Sequence, residues 1–173
     1  MTGYASERRV GQHMLRCKIE KTNSPKVLER RGNMGRVSVG EVFERTMTFD
    51  EAGARAFATL VGDFNPIHHD ADFAAGSRFG GLIISGTQSV ALLMAMTATF
   101  LSARGAALGL DYSFRFRKGV RMNETCHLKW VVTEVLEKSG LGEIVSFDAS
   151  MTILSSGEVA VSGSGKCALL DAA

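Results

Sequence analysis

Residues 87–103 read TQSVALLMAMTATFLSA, and this stretch decides the fold. Leu92, Leu93, Met94, Met96, Phe100 and Leu101 leave it apolar nearly all round, and no charge falls between Arg78 and Arg104. Its continuous apolar part is about a dozen residues, too short to span a bilayer and suited to a core helix. A helix of that character is expected to be enclosed on most sides, with its methionines filling core.

The flanking segments are what would enclose it. VSVGEVFERTMTF (37–49) alternates loosely and reads as an entry strand. Asp50 then stands as N-cap before EAGARAFATLVG, where Ala52, Ala56, Phe57, Leu60 and Val61 recur at helical spacing. Asp70 to Gly76 reads as a short helical turn. Beyond the apolar helix, LDYSFRFRK alternates Tyr112, Phe114 and Phe116 with Ser113, Arg115 and Arg117, a strand with one wet face ending at the turn Lys118-Gly119. HLKWVVTEVL, EIVSFDASMTIL and EVAVSGSGKCALL follow, separated by the hairpin signals SGLG and SSG. Val145, Phe147, Ala149, Met151 and Ile153 form the cleanest two-residue period in the chain. The class is therefore α+β: a long central helix round which an antiparallel sheet must curl.

The chain has 173 residues, 45% apolar and 22% charged, the balance of one ordinary globular domain. Its net charge of +2 conceals an asymmetry: residues 1–36 hold nine Lys or Arg against three Glu, and the remainder is acidic. The basicity thus belongs to the N-terminus and gives the domain no nucleic-acid-binding character. Residues 1–33 show no sustained period and no signal-peptide core. We read them as an N-terminal extension, either unstructured in isolation or carried over from upstream, with the domain running from 34 to 173. Cys17, Cys126 and Cys167 are widely spaced without a CxxC pair, which argues against a disulfide framework or a cysteine zinc site and fits a cytoplasmic protein.

One polar island interrupts the apolar segments. GDFNPIHHDADFA (62–74) holds Asp63, Asn65, Pro66, His68, His69, Asp70 and Asp72. Pro66 disfavours the α region for Asn65 and ends the preceding helix. In an unbroken helix Asp63 and His68 would diverge by about 140°. The break lets a folded loop join carboxylate and imidazole into a pair able to hold a water and to take and deliver a proton near neutral pH. The same residues also make a plain helix stop, with Gly62 free to adopt an unusual backbone angle. A metal site from His68, His69, Asp70 and Asp72 lacks both the helical His-x-x-x-His and the calcium-loop spacing. His13 and His127 belong to no constellation.

The island resembles the signature of the MaoC-like (R)-specific enoyl-CoA hydratases: G-D-x-N-P-aliphatic-H, five residues, then Ala or Ser. Gly62, Asp63, Asn65, Pro66, Ile67, His68 and Ala74 all fit it. FGGLIISG (79–86) and FRFRKGV (114–120) resemble the family's segment before the central helix and its later strand-turn. The similarity covers about Val37 to Leu170. It implies the hot dog fold, a long helix wrapped by a curved antiparallel sheet, commonly paired edge to edge as a homodimer or larger homo-oligomer. It implies catalysis by Asp63 and His68, which place and activate a water for addition across a trans-2-enoyl thioester of CoA or an acyl carrier. The water adds at C3 and a proton reaches C2, giving the (R)-3-hydroxyacyl thioester, or the reverse. The backbone N–H of Gly86, at the N-terminus of the buried helix, is then the donor to the thioester oxygen.

Further expectations follow from the same resemblance. Asn65 and Pro66 shape the loop, while His69, Asp70 and Asp72 stand in solvent. Arg115, Arg117, Lys118, Arg121 and Lys129 are available to CoA phosphates. No metal and no cofactor beyond the substrate's CoA is needed, and neither nucleic acid nor membrane is a partner. Three departures bear on the acyl preference. Ser85 stands where the family often has His, Met122-Asn123-Glu124 where it often has Gly-Asp, and Val61 where a small residue is frequent. A thioesterase on the same fold and a non-catalytic thioester-binding module are the alternatives, because fold alone does not choose function.

Overall fold

The computed structural model describes residues 36–171, so the expected extension, with His13 and Cys17, lies outside the described residues. The order of elements is β1 (Val42–Thr48), α1 (Glu51–Leu60), a 3-10 turn (Pro66–His68), α2 (Ala71–Gly76), α3 (Gly86–Ser102), β2 (Ala107–Phe116), β3 (Thr125–Lys138), β4 (Gly142–Ile153) and β5 (Val159–Leu170). The five strands form one sheet in the order β1-β3-β4-β5-β2, and every neighbouring pair is antiparallel.

The expected alternation builds the inner face. Val145, Phe147, Ala149, Met151 and Ile153 of β4 are all buried, as are Cys126, Leu128, Trp130 and Val132 of β3. A bulge between Val132 and Glu134 shifts the β3 period by one, which is why Val135 rather than Glu134 packs against the core. A second bulge, between Gly109 and Asp111, interrupts β2. Bulges strengthen local twist, and the sheet must curve to follow the helix in its hollow. Gly163 and Gly165 of β5 serve close approach. A Cβ on Gly163 would fall 2.5 Å from the Phe114 ring, and one on Gly165 would fall 2.7 Å from that of Tyr112. These two rings stack with a centroid separation of 6.1 Å and stand edge-on to Trp130.

Helix α3 is less enclosed than its sequence suggests. Ser89, Leu93, Thr97 and Leu101, four residues apart, form its buried stripe, while Ala91, Met94, Ala95 and Ala98 stay exposed and Met96 is half-buried. A single curved layer covers only one side of a helix, so the expectation of a methionine-filled core gives way to an open outer face. The buried side is anchored by the Trp130 indole, which donates to the carbonyl of Leu93 at 3.0 Å. Further along, Thr97, Tyr112 and Cys167 join through hydroxyl and thiol at 2.6 and 3.0 Å. Burial pushes the Tyr112 hydroxyl up to about 12 and the Cys126 thiol up to about 11.

A second departure concerns β2. It pairs with β5, not with its successor β3, so the turn at Lys118-Gly119 opens a crossing loop instead of a hairpin. That loop braces the entry to α3: Ile84 donates to Val120 and Met122 to Leu82, at 2.9 and 3.0 Å. Asn123 takes the left-handed conformation, φ 68°, and donates to the carbonyl of Phe49 just past β1, while the Phe49 N–H donates to Glu124. Asn is among the side chains that tolerate this region, so the Met-Asn-Glu sequence makes its turn without glycine. Among the described residues no helix is long and apolar enough to cross a membrane.

Trp130 is fully buried, so Trp130→Ala should lower unfolding free energy by about 3–5 kcal/mol. Urea denaturation of the two proteins, compared at their midpoints, reads this directly.

Candidate active site

The polar island begins as a helix terminus. Gly62 has φ 75°, its N–H donates to Thr59, and the N–H of Asp63 reaches back to Ala58 at 2.9 Å. This pair of bonds is a Schellman motif with glycine at the left-handed position. Asp63 is therefore held at its backbone by the end of α1. Asn65 next caps the 3-10 turn through its side chain, accepting from Ile67 N–H, and Pro66 occupies the first position of the turn. Both shape the loop as expected, and His68 closes the turn.

His69 and Asp70 do more than stand in solvent. His69 Nε2 donates to the carbonyl of Asp63 at 2.7 Å, and the ring is half-buried. The carbonyl of His69 in turn accepts from Arg55 of α1. Asp70 is the N-cap of α2, accepting from Phe73 N–H at 2.9 Å while staying exposed, and Asp72 is exposed too. The loop is thus closed on itself by side-chain to backbone bonds.

Asp63 and His68 are brought together. His68 is 5% exposed, and its Nδ1 lies 2.8 Å from the carbonyl of Ile83. A carbonyl only accepts, so Nδ1 carries the hydrogen and Nε2 faces the other way. Nε2 lies 3.3 Å from Asp63 Oδ2. The same Oδ2 accepts the Ser85 hydroxyl at 2.6 Å, and Oδ1 accepts the Asn65 N–H at 3.3 Å. The Ser85 hydrogen bond, foremost, holds the Asp63 carboxyl below the ordinary carboxylate range. Burial opposes it, and the Asn65 N–H, His68 and His69 add smaller depressing contributions.

Gly86 is the first residue of α3, and its N–H has no acceptor among the described residues. A Cβ there would meet the Phe116 ring at 3.0 Å, so the helix start sits directly against that aromatic edge. Gly86, His68 and Phe116 belong to the wall of one cavity of about 700 Å³, together with Ile84, Ser89 and Val161. Asp63 is not in that wall; its side chain, 27% exposed, meets the cavity-lining His68. Of the five expected cations, Arg117, Lys118 and Arg121 border the cavity, joined by Arg78, which the sequence reading missed. Arg115 and Lys129 do not. Lys129 alternates with the buried Leu128 and Trp130 and so leaves the sheet on its outer face. Lys118 pairs with Glu158, Arg117 with the Ser162 hydroxyl and Arg121 with the carbonyl of Gly80. Among the described residues no three His, Cys, Asp or Glu side chains converge as a metal site would require.

Ser85 is the other functional residue the sequence reading passed over, noting it only as a departure. Its place before the first glycine of an apolar helix, a position that favours Ser as N-cap, is the signal that could have found it.

Known proteins resemble the chain in sequence and in fold. Residues 36–151 match the family described as MaoC like domain. The chain is 35% identical over 80 residues to a 3-hydroxybutyryl-CoA dehydratase of Methylorubrum extorquens, covering 46% of this chain and 50% of that one. It is 34% identical over 80 residues to an (R)-specific enoyl-CoA hydratase of Aeromonas caviae, covering 46% and 60%. The match therefore spans between half and three-fifths of those two relatives. Among solved structures, an unliganded R-hydratase of Pseudomonas aeruginosa superposes with a TM-score of 0.69 at 29% identity, over 79% of this chain and 84% of that one. The sheet that wraps α3 is the hot dog fold, and the chain belongs to the MaoC-like dehydratase family.

Proposed function

We propose that the protein hydrates trans-2-enoyl thioesters of CoA, or of an acyl carrier, to (R)-3-hydroxyacyl thioesters, and runs the reverse dehydration. The observation that carries this reading is the Asp63–His68 pair, 3.3 Å apart and beside the free N–H of Gly86 at the mouth of α3. The names of the relatives support the reaction class and its hand.

The chemistry follows from the hydrogen-bond directions. With Nδ1–H held by Ile83, His68 presents Nε2 to the substrate side and to Asp63. In the charged pair, Asp63 accepts a proton from water while the water oxygen bonds to C3. The C2–C3 π electrons shift toward the thioester, and its oxygen gathers negative charge opposite the Gly86 N–H and the positive end of the α3 dipole. The imidazolium Nε2–H then protonates C2. Proton transfer from the Asp63 carboxyl to His68 restores the starting charges, so one water is consumed and nothing else. No cofactor is required; CoA enters with the substrate. Arg78, Arg117, Lys118 and Arg121 at the cavity rim are placed for its phosphates.

The depth of the cavity limits the acyl group. Its wall reaches Ser89, one turn below Gly86, and stops before Leu93, where Trp130 ties the helix to the sheet. Gly86 to Leu93 is about 10 Å along the helix axis, room for an extended acyl chain of roughly eight carbons at most. A second copy of the chain is the natural partner. Strand β2 is an edge strand with Leu108 and Leu110 exposed, and the outer face of α3 is open beside it. An unpaired apolar edge of this kind calls for cover, and edge-to-edge pairing into a homodimer provides it.

Three outcomes are expected. With crotonyl-CoA, the conjugated enoyl absorbance disappears without release of free thiol, and Asp63→Asn and His68→Gln each lower the rate at least about 100-fold. Thiol release would point to a thioesterase, and unchanged turnover in both variants would remove the site assignment. Across a series of enoyl-CoAs, kcat/KM falls beyond roughly eight carbons, and Leu93→Ala restores part of the loss by opening the cavity floor. Light scattering on the eluting protein gives twice the mass of the chain; a monomer would overturn the edge-pairing proposal.

A further inference from the structure

Ser85 connects the two halves of the proposed site. It is 0% exposed, and its hydroxyl lies 2.6 Å from Asp63 Oδ2 and 2.6 Å from Thr87 Oγ1. A carboxylate oxygen has no hydrogen to give, so the single Ser85 hydrogen goes to Asp63. The Ser85 oxygen is then the acceptor on its other side, receiving the Thr87 hydroxyl and, at 3.3 Å, the Thr87 N–H. The result is a one-way chain from Thr87 to Ser85 to Asp63, which meets His68 Nε2 at the same carboxylate oxygen. The Asn65 N–H occupies the other oxygen. Since Ser85 is also the N-cap of α3, one hydroxyl binds both the reactive carboxylate and the helix start whose Gly86 N–H faces the cavity.

Resting on the hydratase reading above, we propose that Ser85 is the positioning residue of the reaction: its hydroxyl fixes the Asp63 carboxylate in the charged, His68-facing orientation and sets its distance from the oxyanion donor. Thr87 polarises that hydroxyl. The environment of Asp63 is otherwise simple. His68 and His69 of the polar loop are the titratable groups facing it, and its neighbours from α1 (Ala58, Thr59) and α3 (Ser85, Gly86, Thr87) carry no charge. Both imidazoles act in the same direction as Ser85, so loss of the hydroxyl has a defined sign. Asp63 works as the anion, and activity falls as pH drops through its pKa. Removing the strongest of the depressing contacts moves that acid limb to higher pH.

The test uses the full chain and crotonyl-CoA, with kcat and KM measured across pH for Ser85→Ala, Ser85→Thr, Thr87→Val and Asp63→Asn. Ser85→Ala is expected to lower kcat about tenfold with KM within about twofold, and to shift the acid limb upward. Ser85→Thr keeps a hydroxyl and restores the wild-type limb. Thr87→Val, which leaves Ser85 in place, gives a smaller shift of the same sign. A helix cap alone would lower the melting temperature of Ser85→Ala and leave the limb where it was. A wild-type limb and kcat in Ser85→Ala therefore overturn the proposal. Should Ser85→Ala fail to fold, Thr87→Val decides, and an unmoved limb there overturns it equally. Asp63→Asn separates the two levels. An inactive Asp63→Asn beside a wild-type Ser85→Ala sinks only the role of Ser85, whereas an active Asp63→Asn sinks the reading of the site itself.

Discussion

The hydrogen bond from His68 Nδ1 to the carbonyl of Ile83 is the constraint on which the site depends. It crosses from the polar loop to the segment that enters α3, and takes up the hydrogen on the Nδ1 side of the ring. Nε2 is thereby committed to Asp63 and the cavity. The backbone adds a second tie between the same segments, from Ile83 N–H to the carbonyl of Ile67. The crossing loop holds that entry segment from its other side through Ile84 and Met122. Three irregular stretches, none of which would keep its shape alone, are thus fixed against one another. A regular scaffold could not do this, because helices and strands spend their backbone groups internally.

The fold was legible where local pattern and tertiary role coincide. The β4 alternation, the Asp50 cap and the break at Pro66 each follow from residues adjacent in sequence. What escaped was non-local. Nothing near Lys118 says that β2 will pair with β5, because strand choice depends on what covers the helix. The composition of α3 reports that it is apolar, not how many layers surround it, and a single sheet leaves Met94 and its neighbours outside. The site shows the same division. Asp63 and His68 lie five residues apart inside a recognisable stretch. The Ser85 contact spans a separation of 22 residues and joins different elements. That Arg78 borders the cavity and Lys129 does not could not be read from the chain, because closeness to a cavity mouth depends on strand parity and loop path, not on nearness in sequence.

A helix stop and the placing of the Asp63–His68 pair are one and the same feature of this loop. Gly62 ends α1 by adopting a conformation that costs other residues, and the Schellman bonds fix the Asp63 backbone. The features that make GDFNP a terminator are those that aim the carboxylate. Pro66 and Asn65 build the short turn that carries His68 round to meet it. A longer or looser loop would reach the same pair of side chains at a greater entropic cost and with less definition.

Electrostatics then explain why a serine suits the position before Gly86. A carboxylate next to a buried imidazole is stable as an anion only if its lone pairs are met, and burial pulls against that state. A neutral hydroxyl supplies a donor without adding a second charge or a second titrating group to the pair. Asp63 therefore keeps its charge through a hydrogen bond from a group that does not itself titrate. An imidazole in place of Ser85 would compete for the same oxygen and titrate in the same range. In the reaction proposed above, the hydroxyl thereby leaves Asp63 ready to take the proton from water and His68 to deliver one to C2.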